Sequence, residues 1–86
     1  MERGRRSMVE RARVADIFRE TFTLDGAIDV EALAYRQIPA WDSVGHMQLV
    51  AALESAFDVM LETDEIIDMS SFDKAVEILS RHLVDA

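Results

Sequence analysis

Asp42, Ser43 and His46 place an acid, a hydroxyl and an imidazole within five residues. Such a set could make a nucleophile if the imidazole took the hydroxyl proton while the acid oriented the ring. At the start of a helix that geometry fails, because adjacent side chains diverge and cannot face one another. No glycine-rich elbow surrounds Ser43 either. The chain is therefore not expected to be an enzyme. A metal centre is no better supported, since His46 and His82 are the only histidines and share no ligand spacing. The acidic stretch from Asp58 to Asp68 invites a calcium loop, which needs oxygen ligands at its first, third and fifth positions and glycine at its sixth. Counted from Asp58, Met60 occupies the third position and Thr63 the sixth; counted from Asp64, they are Ile66 and Met69. A solvated acidic surface without metal is the expectation.

Ser43 carries a different possibility. A serine in the first turn of a helix lies beside unpaired N–H groups and the positive end of the helix dipole. An anion attached there, such as a phosphodiester, would be stabilised. By position alone Ser43 reads first as a helix cap, and Ser43→Ala should then cost about 1 kcal/mol.

The elements that must position these residues are helical. Ser7-Met8-Val9-Glu10 fits a capping box, and Val14, Ile17, Phe18, Thr21 and Phe22 follow at spacings of three and four. That predicts a first helix from about Met8 to Phe22. From Thr23 to Asp42 the periodicity stops, with a turn signal at Asp25-Gly26 and a breaker at Pro39. Leu24, Ile28, Val30, Leu33, Ile38 and Trp41 recur along this stretch, as though it were pinned across a core, and residues 29–33 could form a helical turn. A loop so long in a small domain is often functional.

Asp42 or Ser43 would cap a second helix in which Val44, Met47, Val50, Leu53 and Phe57 form a stripe, with Gln48, Glu54 and Ser55 on the outside. Residues 64–68 allow only a turn or two. A last helix would start at Ser70 or Ser71 and bury Phe72, Val76, Leu79 and Leu83. The expected fold is all-α: a small four-helix bundle with three longer helices, a short third helix and a long first loop. Residues 1–7 would be a flexible N-terminal segment and 8–84 the domain.

Composition narrows the function. The 86 residues carry 17 acids, 9 bases and no cysteine, for a net charge of -8. Disulfides, cysteine-based zinc sites and thiol nucleophiles are thereby excluded. Up to Arg19 there are six arginines against three acids; beyond it, three basic residues face fourteen acidic ones. A body of that sign repels phosphodiester backbones and attracts basic partners, so no nucleic-acid partner is expected. No signal-like apolar stretch or membrane-length segment is seen, so a cytoplasmic protein without a membrane partner is expected.

The segment from Trp41 to Phe57 resembles the acyl carrier protein family, the phosphopantetheine-binding domains. Asp42-Ser43-Val44 matches the start of the family's second helix, and Leu53-Glu54-Ser55-Ala56-Phe57 matches its close. The likeness extends over about residues 8–84. It implies a stand-alone monomeric carrier, modified on Ser43 with 4'-phosphopantetheine by a phosphopantetheinyl transferase. Acyl groups would then ride as thioesters between acyl-loading and acyl-accepting enzymes. The missing cysteine agrees with this, because the reactive sulfur would come with the prosthetic group.

In the same resemblance, Asp42 helps set the junction before the helix and sits close to the transferase's metal. Val44, Met47 and Gln48 lie on the face offered to partners, although Val44 and Met47 could equally fill the core. Ile66 and Met69 flank the arm and acyl cavity, or else simply pack. Gly45-His46-Met47-Gln48 departs from the acidic pattern of fatty-acid-synthesis carriers. The resemblance is closer to discrete carriers of polyketide-like or other specialised biosynthesis. A charge at Met47 should then disturb partner turnover more than reversal of Glu54. The alternative is a helical interaction module without a prosthetic group, which would keep Ser43 as a cap and tolerate Ser43→Asn.

Overall fold

The periodic segments become four helices in the computed structural model, which describes residues 10–83. These are α1 (Arg11–Phe22), α2 (Ser43–Phe57), α3 (Thr63–Asp68) and α4 (Phe72–Leu83), with a single 3-10 turn at Val30–Ala32. No strand forms among the described residues; an isolated antiparallel bridge pairs Ala34 with Ser71. No helix among them is long and apolar enough to cross a membrane.

α1 begins later than its sequence pattern predicts. Glu10 is the extended residue before the helix and makes no side-chain cap, so it is not the third helical residue that the capping box requires. Ser7 and Met8 lie outside the described residues, as do the proposed flexible segment 1–7 and residue 84. Val14, Phe18 and Phe22, each four residues from the next, are the buried face of α1. Phe18 is at the centre of the core, with ring centroids 5.3 Å from Trp41 and 5.1 Å from Phe72 in edge-on arrangements that add to burial.

Two arginines of α1 lie across its neighbours. Arg11 stacks over Phe72 and binds Asp73 and Glu31. Arg13 lies over Phe57 and donates to the Ala56 carbonyl at the end of α2 (2.9 Å), where a cation complements the dipole.

The long connection is pinned, as its apolar spacing predicts. Val30, Leu33 and Trp41 are buried, and Leu24, Ile28 and Ile38 pack against the core. An Asx turn marks Asp25-Gly26, with the Asp25 carboxylate accepting from the Ala27 N–H (2.6 Å). Further on, the loop is bonded to the start of α4: Tyr35 N–H donates to the Ser70 carbonyl and Phe72 N–H to the Leu33 carbonyl, both at 2.9 Å. Ser71 caps α4, accepting from Lys74 N–H (3.0 Å).

α2 is turned relative to the predicted stripe. Its buried residues are Gly45, Leu49, Val50 and Leu53, whereas Val44 and Met47 are 67% and 53% exposed. Gly45 is the cause. A β-carbon there would collide with the Ala40 carbonyl oxygen and lie 3.2 Å from the Phe22 ring, so only glycine lets this face of α2 approach the loop and α1. The helix-interior glycine is thus set by packing. Glu54 is not an outer residue either: it is half-buried, and its carboxylate accepts from Leu61 N–H (2.9 Å).

Candidate functional site

Asp42 caps α2. Its backbone is extended, and its carboxylate Oδ1 accepts from Gly45 N–H at 2.8 Å. Ser43 is therefore the first helical residue and is relieved of the capping role. Its side chain is exposed, and its Oγ lies 3.3 Å from the Tyr35 hydroxyl.

Tyr35 comes from the long loop, and several bonds fix its position. Its N–H is held by Ser70, and its ring stands edge-on to Trp41 and His46, with centroids 6.3 and 5.4 Å away. The next residue, Arg36, has φ of 70°, a left-handed conformation uncommon for a residue with a side chain. Two ties impose it: Arg36 N–H donates to the Trp41 carbonyl (2.9 Å), and Gln37 clamps Ala34. The Gln37 side-chain oxygen accepts from Ala34 N–H (2.8 Å), and the Gln37 main-chain N–H donates to the Ala34 carbonyl (3.0 Å).

His46 joins three segments. Trp41 Nε1–H can only donate, so His46 Nδ1 accepts from it at 2.9 Å. The ring proton is then on Nε2, which donates to the Ile66 carbonyl at 2.8 Å. This bridge links the loop, the first turn of α2 and α3. With both nitrogens engaged, His46 is not directed at Ser43, and the Asp42 oxygen at the cap is likewise occupied. The Asp42 carboxylate, Ser43 hydroxyl and His46 ring thus bond to other groups and do not form a triad.

Beside Ser43 is a groove of about 370 Å³. Met47, Ile66, Ile67 and Met69 give it apolar walls; Tyr35, Ser43 and Ser70 supply hydroxyls, and the His46 ring forms one edge. Among the described residues, no lysine, arginine or carboxylate lines it. The structure brings together five of the residues singled out from sequence: Ser43, His46, Met47, Ile66 and Met69. Met69 is fully buried and belongs to the core as well as to the groove; Ile66 is half-buried. Val44 and Gln48 are exposed on α2 but do not line the groove.

α3 forms one wall and is itself tied down by polar contacts. Glu65 accepts from Glu62 N–H (2.9 Å) and pairs with His82 of α4 (2.8 Å). Asp68 pairs with Lys74 at 3.4 Å. The bond from Glu62 N–H, followed by the one from His82, holds the Glu65 carboxyl below the ordinary glutamate range. Several acids of the 58–68 stretch thus have structural work: Asp58 ends α2 in a left-handed conformation, and Glu65 secures α3.

Sequence reasoning missed Tyr35, Ile67, Ser70 and the Trp41–His46–Ile66 bridge. A lone tyrosine eight residues before Ser43 gives no local signal; the Ala34–Ser71 bridge that places it joins residues 37 positions apart in the chain. No family model, curated protein or solved structure matches the chain.

Proposed function

We propose that the protein is an acyl carrier, its four helices forming the bundle of a phosphopantetheine-binding domain and Ser43 its attachment site. The observation that carries this is a division of labour: Asp42 caps α2, leaving the Ser43 hydroxyl exposed beside an apolar groove. A serine serving only as a cap would have its oxygen directed at the backbone of its own helix.

The residues present fit the group. Ser43 Oγ is accessible for a phosphodiester bond, and the first turn of α2 favours the phosphate charge. Met47, Ile66 and Ile67 offer apolar surface to an arm, with Met69 packed beneath, and Tyr35 and Ser70 add hydroxyl-bearing residues to the lining. When bound, 4'-phosphopantetheine would supply a terminal thiol that holds acyl groups as thioesters. This chain's own contribution is to present the serine and keep the groove. It also exposes Val44, Met47 and Gln48 to a phosphopantetheinyl transferase and to acyl-loading and acyl-accepting enzymes. The Gly45-His46-Met47-Gln48 run supports specialised, polyketide-like biosynthesis over fatty-acid synthesis.

Intact mass after incubation with coenzyme A and a broad-specificity phosphopantetheinyl transferase tests the proposal. A phosphopantetheine increment is expected on the wild type and none on Ser43→Ala. A folded wild type that gains no mass with any of several transferases would overturn it. The exposed Val44, Met47 and Ile67 would then be the contact patch of an interaction module without a prosthetic group.

A further inference from the structure

We infer that Tyr35 is a positioning residue for Ser43, holding its Oγ in the unmodified chain and hydrogen-bonding to the phosphodiester once it forms. This rests on the carrier reading of Ser43. The two hydroxyls are 3.3 Å apart, and in water such a contact between mobile groups would contribute little. Tyr35 is not mobile in that sense. Its main chain is bonded to Ser70, its ring stands against Trp41 and His46, and the turn after it is forced through the left-handed Arg36. Strain of that kind persists only where the surroundings over-determine it, and it gathers at functional sites. Here its effect is to fold the loop back so that a phenol faces the one serine oxygen left free at the α2 start. Among the described residues no lysine or arginine lines the groove, so the donors they offer a phosphate at Ser43 are hydroxyl and backbone N–H groups. Among those hydroxyls, only the Tyr35 one is within hydrogen-bond distance of Oγ.

The modification step sets what this can do. A P–O bond forms at Ser43 Oγ, the P–O bond to the departing adenosine 3',5'-bisphosphate breaks, and the Oγ proton passes to the transferase. A fixed Oγ direction lowers the cost of reaching that arrangement. The hydroxyl of Tyr35 can then donate to the phosphate, a charge-assisted bond stronger than the neutral one it replaces.

The test uses the full chain as wild type, Tyr35→Phe and Ser43→Ala, with thermal melts to establish that each is folded. Tyr35→Phe should lower kcat for phosphopantetheine transfer by about 3- to 10-fold, the range one hydrogen bond gives, with KM for the carrier unchanged. The ³¹P resonance of the loaded chain should differ between wild type and Tyr35→Phe. Because the sequence has a single tyrosine, its ¹³C ring signal can be followed without assignment and should shift on loading. Equal kcat with an unchanged ³¹P resonance would overturn the role of Tyr35 while leaving the carrier reading intact. So would a change in KM alone, which would make Tyr35 part of the docking surface. Failure of the wild type to load would overturn both.

Discussion

At the residue scale, neighbouring positions 42, 43 and 45 do three unrelated things, and substitutions can separate them. Asp42→Ala removes the cap of α2 and should cost about 1 kcal/mol in urea denaturation. Ser43→Ala removes no cap, so its cost should stay within about 0.5 kcal/mol, which corrects the capping cost expected of it from sequence. Equal losses for the two variants would return the cap to Ser43. Gly45→Ala sets about 1 kcal/mol of helix propensity gained against overpacking of about 1–3 kcal/mol. Because the clash is with a backbone carbonyl, the net effect should be a loss of about 1–2 kcal/mol; stabilisation would show that the loop yields. What was legible here was local. The acid–serine pair after a proline announced a capped helix start, and the structure caps it with Asp42 and leaves Ser43 exposed. Which of the two caps, and which way the helix faces, depends on Ala40 and Phe22 pressing against Gly45. No spacing rule encodes that contact, so Val44 and Met47 entered a predicted stripe that the structure turns outward.

At the element scale, the ends of α1 and the hold on α3 are where the chain can be improved or weakened. α1 ends at Thr23 with φ of 53°, a left-handed conformation that a β-branched residue adopts only under strain. Thr23→Gly should relieve about 1–2 kcal/mol of strain and lose about 0.5–1 kcal/mol to backbone entropy. A net gain between about 0 and 1.5 kcal/mol is expected, read as an unchanged or higher melting temperature; a lower one would mean that the Thr23 side chain has a role of its own. α3 is six residues long with none of them buried, so its polar ties carry more of its stability than propensity does. Glu65 is held ionised below its ordinary value of 4.5, first by the Glu62 N–H and then by His82. Its folded-state pKa is depressed, so its contribution is fully present above that ordinary value. The contribution is lost as pH falls through it towards the lower folded-state value. Stability measured against pH should therefore drop less steeply below pH 4.5 in Glu65→Gln than in wild type; parallel acid limbs would remove Glu65 from the account. The helices themselves were legible from periodicity, and so was the pinned loop, because its apolar residues recur too regularly for a free linker. The Ala34–Ser71 bridge and the His46 link to Ile66 were not, since each joins segments whose approach is decided only by the packed core.

For the whole molecule, the proposed carrier role would divide the work of meeting a partner between charge and exposed apolar surface. The chain beyond Arg19 is strongly acidic, yet the exposed start of α2 is uncharged, with Val44, Met47 and Gln48 at its surface. α3 lies at the boundary: Ile67 lines the Ser43 groove and also a second hollow shared with Asp64, Asp68 and Arg81. An apolar contact area beside an acidic margin should show two kinetic signatures. Margin charges speed the encounter and are screened beyond about 8 Å at physiological ionic strength; apolar contacts set how long the complex lasts. Glu54 cannot serve as the charge probe, because its carboxylate holds Leu61 in place and its reversal would disturb the fold. Asp64, exposed at the start of α3, is the better choice. With a phosphopantetheinyl transferase as partner, Asp64→Lys should slow association several-fold in low salt and lose most of that effect at high salt. Met47→Lys should instead speed dissociation at both. If Met47→Lys acts only through the association rate and its effect vanishes with salt, the uncharged face of α2 is not where the partner sits.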